Sequence, residues 1–202
     1  MKQLNNYILE KLKINKDTKI NSYYNYHPKD RDELEKLIKK LINKRGENAD
    51  LNDIDTSEIT DMHHMFYWNS GFKGNISEWD VSNVKDMSYM FTTSDFNGDI
   101  SKWDVSKVEN MSFMFATSDF NGDISKWNVS NVRNMAFMFK GSIFNQDISK
   151  WDVSNVENMK RLFYNCDFNG DISKWNVSNV RDMDNIFKNS PLEKNPPKWY
   201  KN

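Results

Sequence analysis

The sequence predicts an α+β repeat protein: a solenoid of six 24-residue coils, each with short strands and one helical turn, behind an N-terminal helical cap. Three observations predict it. Trp79, Trp103, Trp127, Trp151, Trp175 and Trp199 recur every 24 residues. Phe72, Phe96, Phe120, Phe144 and Phe168 keep the same interval and phase, with Leu192 next in line. Apolar columns run beside them: Ile76, Ile100, Ile124, Ile148 and Ile172; Val81 and Val84 with their successors; and Met87, Met111, Met135, Met159 and Met183. A unit this short cannot bury its own apolar face, so copies must stack until like residues lie over like.

The first fifty residues lie outside the repeat. Leu4, Ile8 or Leu9, and Leu12 fall on one face of a short helix, and Lys16 to Tyr26 reads as a polar linker dotted with aromatics. A stronger helix follows. Asp30 and Glu33 stand at capping-box spacing, and Leu34, Leu37, Ile38, Leu41 and Ile42 form an apolar stripe that stops before Gly46. The open end of the first coil is the surface such a stripe would cover, because a terminal coil otherwise exposes core and unpaired backbone. Residues 1–50 therefore form the cap, net +4, and residues 51–202 the solenoid, net −5.

The coils run 51–75, 76–99, 100–123, 124–147, 148–171 and 172–195, with a stub at 196–202. The first is degenerate, marked by Leu51, Ile59, Met62, Met65 and Phe66. Within a coil, Asp99 to Asp104 reads as a strand with Ile100 and Trp103 inward, and Val105 to Val108 as a second extended piece. Met111, Met114 and Phe115, spaced i, i+3, i+4, read as one helical or 3₁₀ turn. At about 4.8 Å per coil the rod would be roughly 30 Å long.

The recurrent I-S-x-W-[DN]-V-S-N-V-x-[ND]-M-x-x-M-F-x-x-S-x-F-N resembles the bacterial surface-protein repeat of about 25 residues, the mycoplasma-type branch of the BspA-like leucine-rich repeats. The resemblance covers residues 51 to 200. It implies a leucine-rich-repeat-like, right-handed solenoid used for protein binding, and it brings no catalytic residues. Many relatives of that kind are exported surface proteins.

Composition narrows the function. Basic and acidic residues number 28 and 29, which removes a global electrostatic case for nucleic acid or a membrane surface. No apolar run approaches the roughly 20 residues of a spanning helix. Met1 to Tyr7 has no apolar leader, so a cytosolic protein is expected. The hydrophobic content of 38% is low for a conventional core but suits coils that keep most of their residues in solvent.

No nucleotide-loop, dinucleotide, esterase-elbow or zinc-protease motif occurs, and the carboxylates are spread by the repeat, so neither an enzyme nor a cofactor is expected. Cys166, the single cysteine, stands in the column of Ser70, Ser94, Ser118, Ser142 and Ser190, where a small side chain is the requirement, rather than beside an activating base. Adjacent His63 and His64 lack the further ligands of a metal cluster. Asp99, Asp123, Asp147 and Asp171 could hold Ca²⁺, but Lys102, Lys126, Lys150 and Lys174 run parallel to them and favour lateral ion pairing. Asn97, Asn121, Asn145 and Asn169 read as a ladder that bonds turn backbone between coils.

The positions left for recognition are those where coils disagree. Two residues after the first Met come Tyr89, Phe113, Phe137, Arg161 and Asn185, either an exposed aromatic stripe or a set of rings packed sideways. The first coil has one extra residue between Phe66 and Phe72, suggesting a bulged loop that carries Tyr67 and Trp68. Tyr67, Trp68, Tyr89, Phe113, Phe137 and Arg161 are therefore the candidate binding residues. The expected function is a monomeric, non-enzymatic protein-binding scaffold. Such a module would also suit an inhibitor or adaptor carried by a phage or mobile element, for example against a host defence nuclease such as a CRISPR effector. The alternatives are an exported adhesion module and a single-stranded RNA binder, the latter opposed by the net negative charge of the repeats.

Overall fold

The computed structural model describes residues 24–201, so the expected helix near Leu4 to Leu12 and most of the linker lie outside the described residues. One helix, α1 (Arg31–Arg45), precedes the repeats. Asp30 caps it by accepting from the Glu33 amide at 2.9 Å, while the Glu33 carboxylate accepts from the Lys29 amide at 3.0 Å. Gly46, at φ 87°, ends it by donating to the Ile42 carbonyl at 2.8 Å. Leu34, Ile38 and Leu41 are buried and join the core of the repeats, with Leu37 and Ile42 half-buried on the flank. Polar contacts fix both ends of α1: Arg31 Nε donates to the His63 carbonyl at 2.9 Å, and Arg45 forms a two-pronged pair with Asp53 at 2.8 Å. The helix thus lies across the first coil, its apolar stripe against the core.

Each later coil repeats its neighbour's hydrogen bonds at an offset of 24 residues. Across one seam the amides of Met111, Phe113, Phe115 and Thr117 donate to the carbonyls of Asn134, Ala136, Met138 and Lys140 at 2.7–2.9 Å. The same four rungs recur in every seam from Met62 onward. They run in one direction, from the amides of one coil to the carbonyls of the next. Parallel bridges connect Asp61, Asp86, Asn110, Asn134, Asn158 and Asp182 in series, one residue per coil.

Among the described residues the contacts between coils are isolated bridges, and the coil is built from consecutive turns. The segment read as a helical turn shows why. Met114 donates to the Met111 carbonyl at 3.2 Å, and Phe113 between them takes φ 58°, the third position of a type II turn. The seam claims the amides of alternate residues, which an α-helix would send to its own preceding turn. Met111, Met114 and Phe115 still point inward, because two tandem turns and one helical turn share that spacing. The stretch read as extended bends at Asp99 and Asp104, whose carboxylates accept from the Ser101 and Ser106 amides at 2.9 and 3.0 Å. The Ser101 amide and hydroxyl hold the Asp99 carboxyl, and the Ser106 hydroxyl and amide the Asp104 carboxyl, below the ordinary aspartate range. They also replace the expected lateral Asp–Lys pairing: Lys102 instead meets Glu78 at 3.3 Å, an exposed contact.

The core is aromatic through its length. Phe66, Phe91, Phe115, Phe139, Phe163 and Phe187 stack with ring centroids 5.4–6.1 Å apart, beside the second column from Phe72 to Phe168. Trp79, Trp103, Trp127, Trp151 and Trp175 are nearly buried, and each indole N–H donates to a carbonyl of the preceding coil, as Trp127 does to Ile100 at 3.1 Å. The Asn column bonds backbone between coils as its pattern suggested, with the Asn121 amide donating to Asn97 Oδ1 at 2.9 Å.

Candidate functional site

On the turn face, the column two residues after the first Met forms a continuous ladder. Tyr89 stacks on Phe113 at 4.5 Å and Phe113 on Phe137 at 4.3 Å, with planes 7° and 9° apart. Arg161 continues the ladder, its guanidinium carbon 5.8 Å from the Phe137 ring and 5.4 Å from Tyr164. Its Nε is buried and has no acceptor among the described residues. Lys140 Nζ lies 6.0 Å from the centre of the Phe137 ring, so the far end of the ladder is cationic.

His64 is the first rung, stacked on Tyr89 at 4.6 Å with planes 7° apart. Tyr67 packs edge-on against both His64, at 5.0 Å, and Tyr89, at 6.2 Å. Trp68 follows at 6.0 Å from Tyr67 and is 69% exposed, against 43% for Tyr67. The structure therefore brings all six candidate residues into one strip and adds His64 and Tyr164. His64 could have been found in the sequence, since Met62-x-His64-Met65-Phe66 aligns with Met87-x-Tyr89-Met90-Phe91 once the longer first coil is allowed for.

Tyr67 and Trp68 do not sit in a bulge. The Phe66 and Trp68 amides bond the Met90 and Thr92 carbonyls in the regular seam, and Trp68 shares the left-handed position of Thr93 and Thr117. The extra residue falls within Asn69 to Gly71, where Asn69 Oδ1 accepts from the Phe72 amide at 3.1 Å.

The ladder column is left-handed, as is the column four residues on that runs from Trp68 and Thr93 to Asn189. His64, Tyr89, Phe113, Phe137 and Arg161 all hold φ between 51° and 60°, a region that favours glycine and asparagine. Only Asn185, in the last coil, is the residue type this position prefers. A bulky residue there costs on the order of 1 kcal/mol. The columns alongside the rings are small and uncharged beside Tyr89 and Phe113, with Ser88 and Ser112 on one side and Thr92 and Ala116 on the other, while Phe137 stands between Ala136 and Lys140. Charge resumes further round the coil, where Arg133 and Arg181 flank Glu157 at 3.3 and 3.0 Å.

Two other features have local explanations. Cys166 is buried, 3.5 Å from the Ser142 hydroxyl, and burial pushes its thiol pKa up. His63 Nδ1 lies 2.7 Å from Asp61, and among the described residues no group of three or more His, Cys, Asp or Glu side chains could hold a metal ion. Burial, together with the neighbouring His63 and Arg31, holds the His64 pKa below the usual histidine range. No helix among the described residues is long and apolar enough to cross a membrane.

A family model described as Mycoplasma protein of unknown function, DUF285, matches the chain twice, over residues 33–119 and 116–199. No curated protein and no solved structure matches it.

Proposed function

We propose that this chain, which belongs to the DUF285 family of Mycoplasma proteins of unknown function, is a non-enzymatic repeat scaffold that binds a protein through its aromatic ladder. The observation that carries the reading is the choice of Tyr89, Phe113 and Phe137 at left-handed positions, where asparagine or glycine would be cheaper. Stacking offsets part of that cost, at about 0.5–1.5 kcal/mol per aromatic pair. The ladder's setting supports the rest: stacked rings flanked mainly by small residues, with an exposed Trp at one end and Arg161 and Lys140 at the other, have the composition of an interface centre. Stacking also leaves the ring edges, rather than free faces, toward a partner, which suits protein side chains better than nucleobases. We read the coil as a turn-built variant of the BspA-like, leucine-rich-repeat-like right-handed solenoid, on the strength of its recurrent residues.

The test is affinity capture from a lysate, followed by binding measurements on Trp68→Ala, Phe113→Ala, Arg161→Ala and the framework control Lys126→Ala, each first shown to be folded. A loss of about 2 kcal/mol, roughly thirtyfold, is expected for at least one ladder variant and none for the control. Unchanged binding in all four removes the ladder as the interface. Capture of RNA in place of protein removes the binding class.

A further inference from the structure

Coil 124–147 breaks three outward columns at once, and the breaks lie side by side next to the ladder. Lys140 stands where Thr92 and Ala116 stand, Gly141 where Thr93, Thr117 and Asn165 stand, and Ile143 where Asp95, Asp119 and Asp167 stand. The first break puts a cation beside Phe137. The second, at φ 67°, removes a side chain from the surface. Apart from its chain neighbours, a Cβ there would meet only Thr117 within 4 Å, so the face is open between Lys140 and Ile143. The third leaves Ile143 48% exposed, one of three large apolar side chains so placed among the described residues, with Tyr67 and Trp68.

We propose that this patch selects the partner, a proposal that rests on reading the face as a protein interface. The occupant is an extended segment that sets an acidic residue against Lys140 and Arg161, a large apolar residue over Gly141 on Ile143, and a basic residue toward Asp119 and Asp167. Alternate residues of an extended segment share one face and lie about 7 Å apart. Lys140 and Ile143 are at most about 10 Å apart along the chain, so an acidic and an apolar residue two positions apart fit the interval.

Charge fixes the two polar ends of the segment. Lys140 and Arg161 have no carboxylate partner among the described residues, and Arg161 Nε is buried without an acceptor. Asp182 and Asp184 share Lys160, at 3.4 and 3.8 Å, on the other side of the ladder column. With both of those acids counted against Lys140, Lys160, Arg161 and Lys188, four cations less two carboxylates leave that end net +2. Asp119 and Asp167, one coil to each side of Ile143, are exposed and form no ion pair among the described residues. A segment must therefore carry both signs, one on each side of its apolar residue. The anion is a carboxylate rather than a phosphate. The amides of Phe137, Lys140, Gly141, Arg161 and Tyr164 all donate within their coils or seams, which leaves two cationic side chains for two oxygens.

The experiment titrates a fluorescein-labelled peptide in which Glu, Leu and Lys alternate with Thr, and a second peptide with Glu and Lys exchanged to cover the other chain direction, by anisotropy. One of the two is expected to bind. Lys140→Thr and Ile143→Asp restore residues found in the same columns, so both should melt as wild type, and each should weaken binding roughly tenfold or more. Lys126→Ala should bind as wild type, and a peptide with Thr in place of Leu should not bind. No binding by either peptide, binding that ignores Lys140→Thr or Ile143→Asp, or equal binding of the Leu-free peptide overturns the proposal. So does tighter binding when phosphoserine replaces Glu, which would make the anion a phosphate. A dimer that Ile143→Asp dissociates, seen by size-exclusion chromatography, would make a second copy the occupant and overturn it too. The ladder rings are read separately, with a captured partner and Phe113→Ala. Loss there with full binding by Ile143→Asp keeps the ladder and removes this patch, and the opposite result keeps the patch and removes the ladder.

Discussion

Replacing Trp127 by alanine tests the packing where it is most repetitive. The indole is 4% exposed in the middle of the stack, lies 6.3 Å from the Phe115 ring, and donates to the Ile100 carbonyl at 3.1 Å. Truncation removes the ring and leaves a cavity between coils that cannot close without breaking the seams on either side; such substitutions cost about 3–5 kcal/mol. The lost hydrogen bond adds about 1 kcal/mol, a modest amount because the Ile100 carbonyl still accepts from the Trp103 amide. The total, about 4–6 kcal/mol, is a large part of the roughly 5–15 kcal/mol that holds a domain together. Urea unfolding followed by far-UV circular dichroism should show the midpoint falling by about 2 M or more, with Trp127→Phe intermediate because it keeps most of the volume and loses the donor. A loss below about 1 kcal/mol would refute the reasoning, since no buried indole could be removed so cheaply.

Ile38→Asp places a charge at the 2% exposed centre of the α1 stripe and should cost about 3–5 kcal/mol or cause aggregation, seen by melting and size-exclusion chromatography; a monomer with the wild-type melting temperature would detach α1 from the core. His64 has its pKa lowered on folding, so its contribution is intact above the unfolded value near 6.5 and is lost as the pH falls through the lower folded value. His64→Phe should therefore flatten the drop in melting temperature between about pH 7.5 and pH 5 while keeping a ring at the first rung; an unchanged pH profile would show that His64 is not the group responsible. Thr117→Asn replaces a β-branched residue at φ 53° with the type found at Asn165 and Asn189 in the same column, and should stabilise by about 0.5–1 kcal/mol in denaturant melts; no gain would mean that the left-handed strain is already relieved.

The inward columns were legible because period alone separates residues that must stack from those that need not, and Trp127, Ile124, Val129 and Phe120 all fall inside as read. The capping of α1 was legible from Asp30, Glu33 and Gly46, whereas Leu37 was not separable from Ile38 by spacing. The path between columns was hidden, since Met111, Met114 and Phe115 carry a spacing common to a helix and to tandem turns. Only the seam, a contact between residues 24 apart, decides between them. The Asp99 column misled because its carboxylate is captured two residues away by Ser101, at shorter range than any lysine. Of the candidate site, Tyr89, Phe113 and Phe137 were visible as disagreements between coils. Their shared strip with Tyr67 and Trp68 was obscured by one residue inserted near Ser70, which shifts the first coil's register and conceals His64.

Because every seam repeats the same four rungs, the length of this molecule is adjustable in whole units. Excision of residues 100–123 would join Asp99 to Ile124 with each new inward neighbour and each backbone angle on the seam matching the old one, and would set Tyr89 directly on Phe137. The shortened protein would keep both ends and lose a single rung of its recognition surface. Reach along the axis is thus quantised in steps of about 4.8 Å, a gauge that can be matched to a partner without redesigning any internal contact.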